Sequence, residues 1–121
     1  MAPQRVVAII DDDGSSLAAL VSLVDAFGFS ARGFRDPRDF LASPAAREAT
    51  CLIIDVRMPG MSAAALRREL QMAGLDPPTI LVTAYPAEAS RASALEAGIA
   101  AYLPKPVIPD ELLALLRDLA R

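Results

Sequence analysis

The chain has 121 residues, 54% of them hydrophobic and 22% charged, a length and balance that predict one folded domain and exclude disorder. Fifteen acidic and twelve basic residues leave a formal charge of −3, which argues against a nucleic-acid-binding surface. With no histidine and a single cysteine, Cys51, the chain has no His-based triad, no histidine metal site and no internal disulfide, so its acid–base chemistry must come from carboxylates, lysine or bound metal.

Val6 to Ile10 is a continuous apolar run that suits a strand buried on both faces, and it ends in Asp11-Asp12-Asp13-Gly14. Arg5 precedes only this short run, so the start does not read as a signal peptide. No apolar run approaches the ~18 residues of a membrane span, and a soluble, cytoplasmic protein without membrane contact is expected. Leu17, Leu20, Val21 and Val24 repeat at helical spacing until Gly28. Ser30 to Phe34 reads as a weaker strand. Asp36 before Pro37 predicts a capped helix start, with Phe40 and Leu41 following and Pro44 interrupting.

Cys51 to Ile54 is the next buried strand and runs into Asp55, with a turn at Met58-Pro59-Gly60. Ser62 caps a helix holding Leu66, Leu70 and Ala73, which Gly74 ends. Thr79 to Val82 is a fourth strand, closing at Thr83. An alanine-rich helix over 87–97 follows, with Leu95 as its large apolar residue. Ile99 to Leu103 is a fifth strand leading into Pro104-Lys105-Pro106. Pro109-Asp110-Glu111 then opens a last helix carrying Leu112, Leu113, Leu115, Leu116 and Leu119. Those leucines span roughly 160°, wider than a minimal core stripe, which leaves Leu113 or Leu115 available to a partner. Five alternations of strand and helix predict an α/β domain, a doubly wound parallel sheet with helices on both faces.

Ligands in such a sheet bind at the carboxyl ends of the strands. The residues placed there are Asp11, Asp12 and Asp13 after strand 1, Asp55 after strand 3, Thr83 after strand 4 and Lys105 after strand 5; Arg35 and Asp36 follow strand 2. Singly, each has a plain structural reading: a helix cap, an Asx turn, a strand threonine, a solvated lysine. Their conjunction at one rim points to chemistry. Converging carboxylates repel by ~1–4 kcal/mol per pair at contact, and a hard divalent cation such as Mg²⁺ relieves this while keeping most of its waters. A metal and a lysine facing carboxylates, with a hydroxyl nearby, suit a phosphoryl group. Since neither cysteine nor histidine is placed to attack, a carboxylate would be the nucleophile.

Ile9-Ile10-Asp11-Asp12-Asp13, Ile54-Asp55-Val56-Arg57-Met58-Pro59-Gly60-Met61-Ser62, Leu81-Val82-Thr83-Ala84 and Leu103-Pro104-Lys105-Pro106 together resemble the receiver domain of bacterial two-component response regulators. The resemblance covers residues 1–121 and implies a flavodoxin-like (βα)5 three-layer sandwich with strand order 2-1-3-4-5. It implies that Asp55 accepts a phosphoryl group from a histidine kinase or phosphotransfer protein. Mg²⁺ would be held directly by Asp12 and Asp55, by the backbone carbonyl of Arg57, and by Asp11 through water. Thr83, with Ala84, matches the phosphate-binding switch, Lys105 the lysine paired with the phosphoacceptor, Pro106 the cis-proline after it, and Tyr102 the aromatic switch of strand 5. The implied output is the face of the helix over 87–97, the fifth strand and the last helix; the wide leucine arc of that last helix makes a second copy of the chain the expected partner there. The Asp55-Val56-Arg57-Met58-Pro59 form resembles a subfamily often joined to a helix-turn-helix output domain.

Rival readings lack their residues. A P-loop and a dinucleotide-binding glycine fingerprint are absent from the sequence. A haloacid-dehalogenase-like phosphatase would need an acid two residues after Asp55, where Arg57 stands. A scaffold-only receiver would not need the Asp12, Asp55, Thr83 and Lys105 set.

Overall fold

The central strands form where apolar and β-branched residues run together, the strand Val6–Ile10 stopping before Asp11 and the strand Ala49–Asp55 closing on Asp55, whereas the edge strand Ser30–Phe34 carries Ser30 and Arg32. A computed structural model describes residues 5–55, 62–83 and 98–120. The turn over Met58-Pro59-Gly60, the helix over 87–97, and Arg57, Ala84, Tyr85 and Pro86 lie outside the described residues.

The elements in order are β1 (Val6–Ile10), α1 (Gly14–Ala26), β2 (Ser30–Phe34), α2 (Pro37–Leu41), α3 (Ala45–Glu48), β3 (Ala49–Asp55), α4 (Ala63–Met72), β4 (Thr79–Thr83), β5 (Ala101–Pro104) and α5 (Pro109–Leu119). The sheet is parallel and its order is β2-β1-β3-β4-β5, the doubly wound α/β arrangement. None of the described helices is long and apolar enough to cross a membrane.

Local chemistry sets the helix ends. Asp13 accepts from the amides of Ser15 and Ser16 and caps α1; Asp36 caps α2 from the amide of Arg38, with Pro37 next; Ser62 caps α4 from the amide of Ala65. Arg38 also folds its guanidinium back onto Asp36 at 2.7 Å, which holds that exposed carboxyl down at about 2. Pro44 divides the second helical segment into α2 and α3, as its lack of an amide hydrogen requires.

The alternation of side chains along the central strands divides the core in two. Val7, Ile9, Cys51, Ile53, Ile80, Val82 and Leu103 pack with Leu20 and Val24 of α1 and Leu112 and Leu116 of α5. Ala8, Ile10, Leu52, Ile54 and Leu81 face the other way, onto Phe40, Leu66 and Leu70 of α2 and α4. The wide leucine arc of α5 is largely absorbed by the first of these clusters: Leu113, Leu115 and Leu119 are partly buried against it. Burial pushes the Cys51 thiol up to about 12, so it is an inert core residue.

At the β2 edge, α1 lies directly on the backbone. A Cβ at Gly33 would come within 2.9 Å of Val21 Cγ2 and 3.2 Å of Leu17 Cδ1. Opposite, Phe40 is fully buried and meets Phe34 edge-on, with centroids 5.5 Å apart. Phe40→Ala is expected to cost about 3–5 kcal/mol, because the surrounding sheet and helices cannot collapse into the space; urea unfolding measures it.

Candidate functional site

Strand parity brings the chemistry together. Ile9, Ile53 and Leu103 belong to the core shared with α1 and α5, and two residues further along each of their strands come Asp11, Asp55 and Lys105. The register places Ile10 opposite Ile54, so Asp11 and Asp55 emerge side by side at the carboxyl ends of β1 and β3. Lys105 follows β5 and reaches back across β4. Its Nζ donates to Asp55 Oδ2 at 2.7 Å and stands 3.9 Å from Asp11 Oδ2. Its backbone amide donates to the Thr83 carbonyl, which ties the lysine to the end of β4, and the Lys105–Pro106 peptide is cis.

Both carboxylates are withdrawn from water, their side chains 1% and 6% exposed, while that of Lys105 is 26% exposed. Asp11 is further fixed by its own backbone. Its amide donates to the Phe34 carbonyl, and its Oδ1 accepts from the Asp13 amide at 2.9 Å. Its Oδ2 is buried and has no hydrogen-bond partner. Burial holds the Asp11 carboxyl above the usual range, the Asp13 amide opposes this, the negative charge of Asp55 adds to it, and Lys105 counters.

Asp12 stands partly exposed beside this buried pair. Its carbonyl accepts two hydrogen bonds from Arg35, from Nε at 3.3 Å and Nη2 at 3.1 Å. The sequence pattern alone gives Arg35 no role, although it directly follows β2 at the same rim. Among the described residues, no three acidic, cysteine or histidine side chains close into a metal cage. An oxygen-only donor set, two adjacent carboxylates and one buried carboxylate oxygen without a hydrogen bond nevertheless fit a hard cation that keeps most of its waters.

Thr83 is buried at the end of β4, and by parity follows Leu81 onto the opposite sheet face, where Tyr102 sits opposite Leu81 in the register. The Tyr102 hydroxyl is buried without a hydrogen-bond partner, and the side chain borders an open hollow of about 480 Å³ with Glu111 and Leu115 of α5.

The model of the response regulator receiver domain matches residues 7–117. The chain belongs to that family. It is similar to the response regulator protein TodT of Pseudomonas putida, 36% identical over 93% of this chain and 49% of TodT. It is also similar to the response regulator MprA of Mycolicibacterium vanbaalenii, 33% identical over 98% of this chain and 51% of MprA. The chain thus spans about half the length of these curated relatives. Among solved structures, the response regulator StyR superposes with a TM-score of 0.85 at 30% identity, over 98% of this chain and 60% of StyR. The BeF3-activated DrrB receiver domain superposes with a TM-score of 0.84 at 26% identity, over 97% of each chain. As a receiver domain of two-component response regulators, the chain is a signalling switch and not a turnover enzyme.

The raised Asp11 carboxyl has a consequence for stability. A carboxyl that binds its proton more tightly folded than unfolded loses stability as pH rises from the unfolded value, near 3.8, through the folded one. Asp11→Asn keeps the acceptor for the Asp13 amide but removes the desolvated charge. In chelator-treated protein it is expected to raise the melting temperature at pH 7, with the gain shrinking toward pH 3.5; thermal melts across that range measure it.

Proposed function

We propose that residues 1–121 act as one phosphorylation-controlled receiver module and that Asp55 is its phosphoacceptor. The observation that carries this reading is the convergence of Asp55, Asp11 and Lys105, with Lys105 Nζ 2.7 Å from Asp55 and 3.9 Å from Asp11. A carboxylate oxygen of Asp55 attacks the phosphorus of a phosphohistidine on a histidine kinase or phosphotransfer protein. The P–O bond forms as the P–N bond breaks, and the donor imidazole leaves as the neutral ring after taking a proton. Lys105, already paired with Asp55, moves onto the phosphoryl oxygens as their charge arrives.

The cation we assign is Mg²⁺, held by Asp12, Asp55, the Arg57 carbonyl and, through water, Asp11. When bound, it neutralises phosphoryl oxygens and offsets repulsion between the carboxylates. Thr83, with Ala84, then hydrogen-bonds the phosphoryl group. A mainly apolar hollow of about 570 Å³ adjoins Lys105, lined by Ala19, Leu20, Leu23, Pro106 and Val107, and supports docking of the donor protein within reach of Asp55. Such a module acts in the cytoplasm, where its kinase domain partner works, and itself contacts neither membrane nor nucleic acid.

Thr83 and Tyr102 carry the change outward. Their shared sheet face and the unpartnered Tyr102 hydroxyl support a paired rearrangement that readies the face of the 87–97 segment, β5 and α5 for a second copy of the chain.

Incubation with acetyl phosphate and Mg²⁺ is expected to add one phosphoryl mass to the chain. Asp55→Asn should add none, and normal uptake by that variant would move the phosphoacceptor elsewhere. Sedimentation with beryllofluoride and Mg²⁺ is expected to show self-association absent from the untreated chain, and Tyr102→Ala should weaken it. A monomer under both conditions at high concentration would remove the dimer from this reading.

A further inference from the structure

Three aspartates in succession are an unstable arrangement for a loop. Their charges repel, and nothing in Asp-Asp-Asp dictates which carboxylate turns inward. The outer two are tied locally: Asp11 by the Phe34 carbonyl and the Asp13 amide, Asp13 by the amides of Ser15 and Ser16 at the start of α1. The middle peptide is tied from outside the loop. Arg35, one residue beyond β2, donates from Nε and from Nη2 to the Asp12 carbonyl, and its guanidinium carbon lies 3.8 Å from where a Cβ of Gly14 would stand.

A planar fork gripping one carbonyl fixes the direction of that carbonyl, and with it the backbone angles that aim the Asp12 side chain. Arg35 therefore exerts two effects of opposite sign on a cation bound by this loop. Its charge repels the cation, whereas its hydrogen bonds hold the loop ready for it. Arg35 is exposed, so water and salt screen the charge, while the hydrogen-bond geometry is not screened.

We propose that Arg35 is a positioning residue whose two hydrogen bonds to the Asp12 carbonyl hold the acidic loop in its cation-receiving shape. The inference rests on the assignment of Mg²⁺ to this loop, and it adds a residue from β2's end to a site otherwise built from β1, β3, β4 and β5. The sign of the effect separates it from simple electrostatics, because removal of a nearby positive charge would by itself tighten cation binding.

The test is calorimetric titration of the whole chain with MgCl2, alongside amide shifts of Asp12 and Asp13. Arg35→Ala is expected to weaken Mg²⁺ binding roughly 10-fold, the lower end of what residues orienting metal ligands contribute. Arg35→Lys keeps the charge without the fork and should weaken binding comparably; Arg35→Gln, neutral but able to donate one hydrogen bond to the carbonyl, should fall between Arg35→Ala and the unaltered chain. The proposal is overturned if Arg35→Ala binds Mg²⁺ as tightly as the unaltered chain or more tightly, or if Arg35→Lys matches the unaltered chain. Absence of Mg²⁺ binding by the unaltered chain would instead overturn the metal assignment itself, and this inference with it.

Discussion

One ammonium group serves two buried carboxylates, and the site is organised around that imbalance. Asp11 and Asp55 are nearly excluded from water, and Lys105 stands within 4.0 Å of both. Removing charge from water costs several kcal/mol per ion unless partners repay it. Burial is the main cause of the raised proton affinity of Asp11, the charge of Asp55 adds to it, and Asp11 Oδ2 is left without a hydrogen bond. The sheet order makes the contact possible. Lys105 starts at β5 and meets Asp55 on β3, across about two strand spacings, ~10 Å, a gap suited to a long flexible side chain facing a short one.

The remainder of the fold supplies rigidity to that imbalance. Both sheet faces are covered, so the central strands cannot shift to relieve the carboxylate pair, and the strand ends are further locked by Asp11 to Phe34 and Lys105 to Thr83 backbone hydrogen bonds. The buried side-chain oxygens left without hydrogen bonds among the described residues are Asp11 Oδ2 and the Tyr102 hydroxyl. One lies at the carboxylate pair and the other on β5, facing the opposite half of the core. Local violations of polar satisfaction concentrate where a protein must change state, because a fully satisfied group has nothing to gain from moving.

The α5 leucines illustrate how far pattern reading reaches. Their wide arc invited a partner surface, yet Leu113, Leu115 and Leu119 all lean on the core that β1, β3, β4 and α1 provide. A helical wheel records the width of an apolar stripe, but the curvature of the surface it meets decides how much of that stripe is covered. Leu115 alone also borders the hollow beside Tyr102.

The sequence by itself determined the alternation of strands and helices, the caps at Asp13, Asp36 and Ser62, the break at Pro44, and the rim of strand ends that carries Asp11, Asp55, Thr83 and Lys105. These follow from local rules: a short polar side chain satisfies nearby amides, proline removes one, and an apolar run must be buried. β5 begins at Ala101 and not at Ile99, because a strand begins where its neighbour offers a ladder. Only the tertiary structure decided which of three consecutive aspartates is shut from water, that Lys105 reaches two of the carboxylates, and that Arg35 grips the Asp12 carbonyl. Each of these depends on the register of distant strands: a shift of one residue would turn the charged side chains to the opposite face, and no local pattern within Asp11-Asp12-Asp13 records that choice.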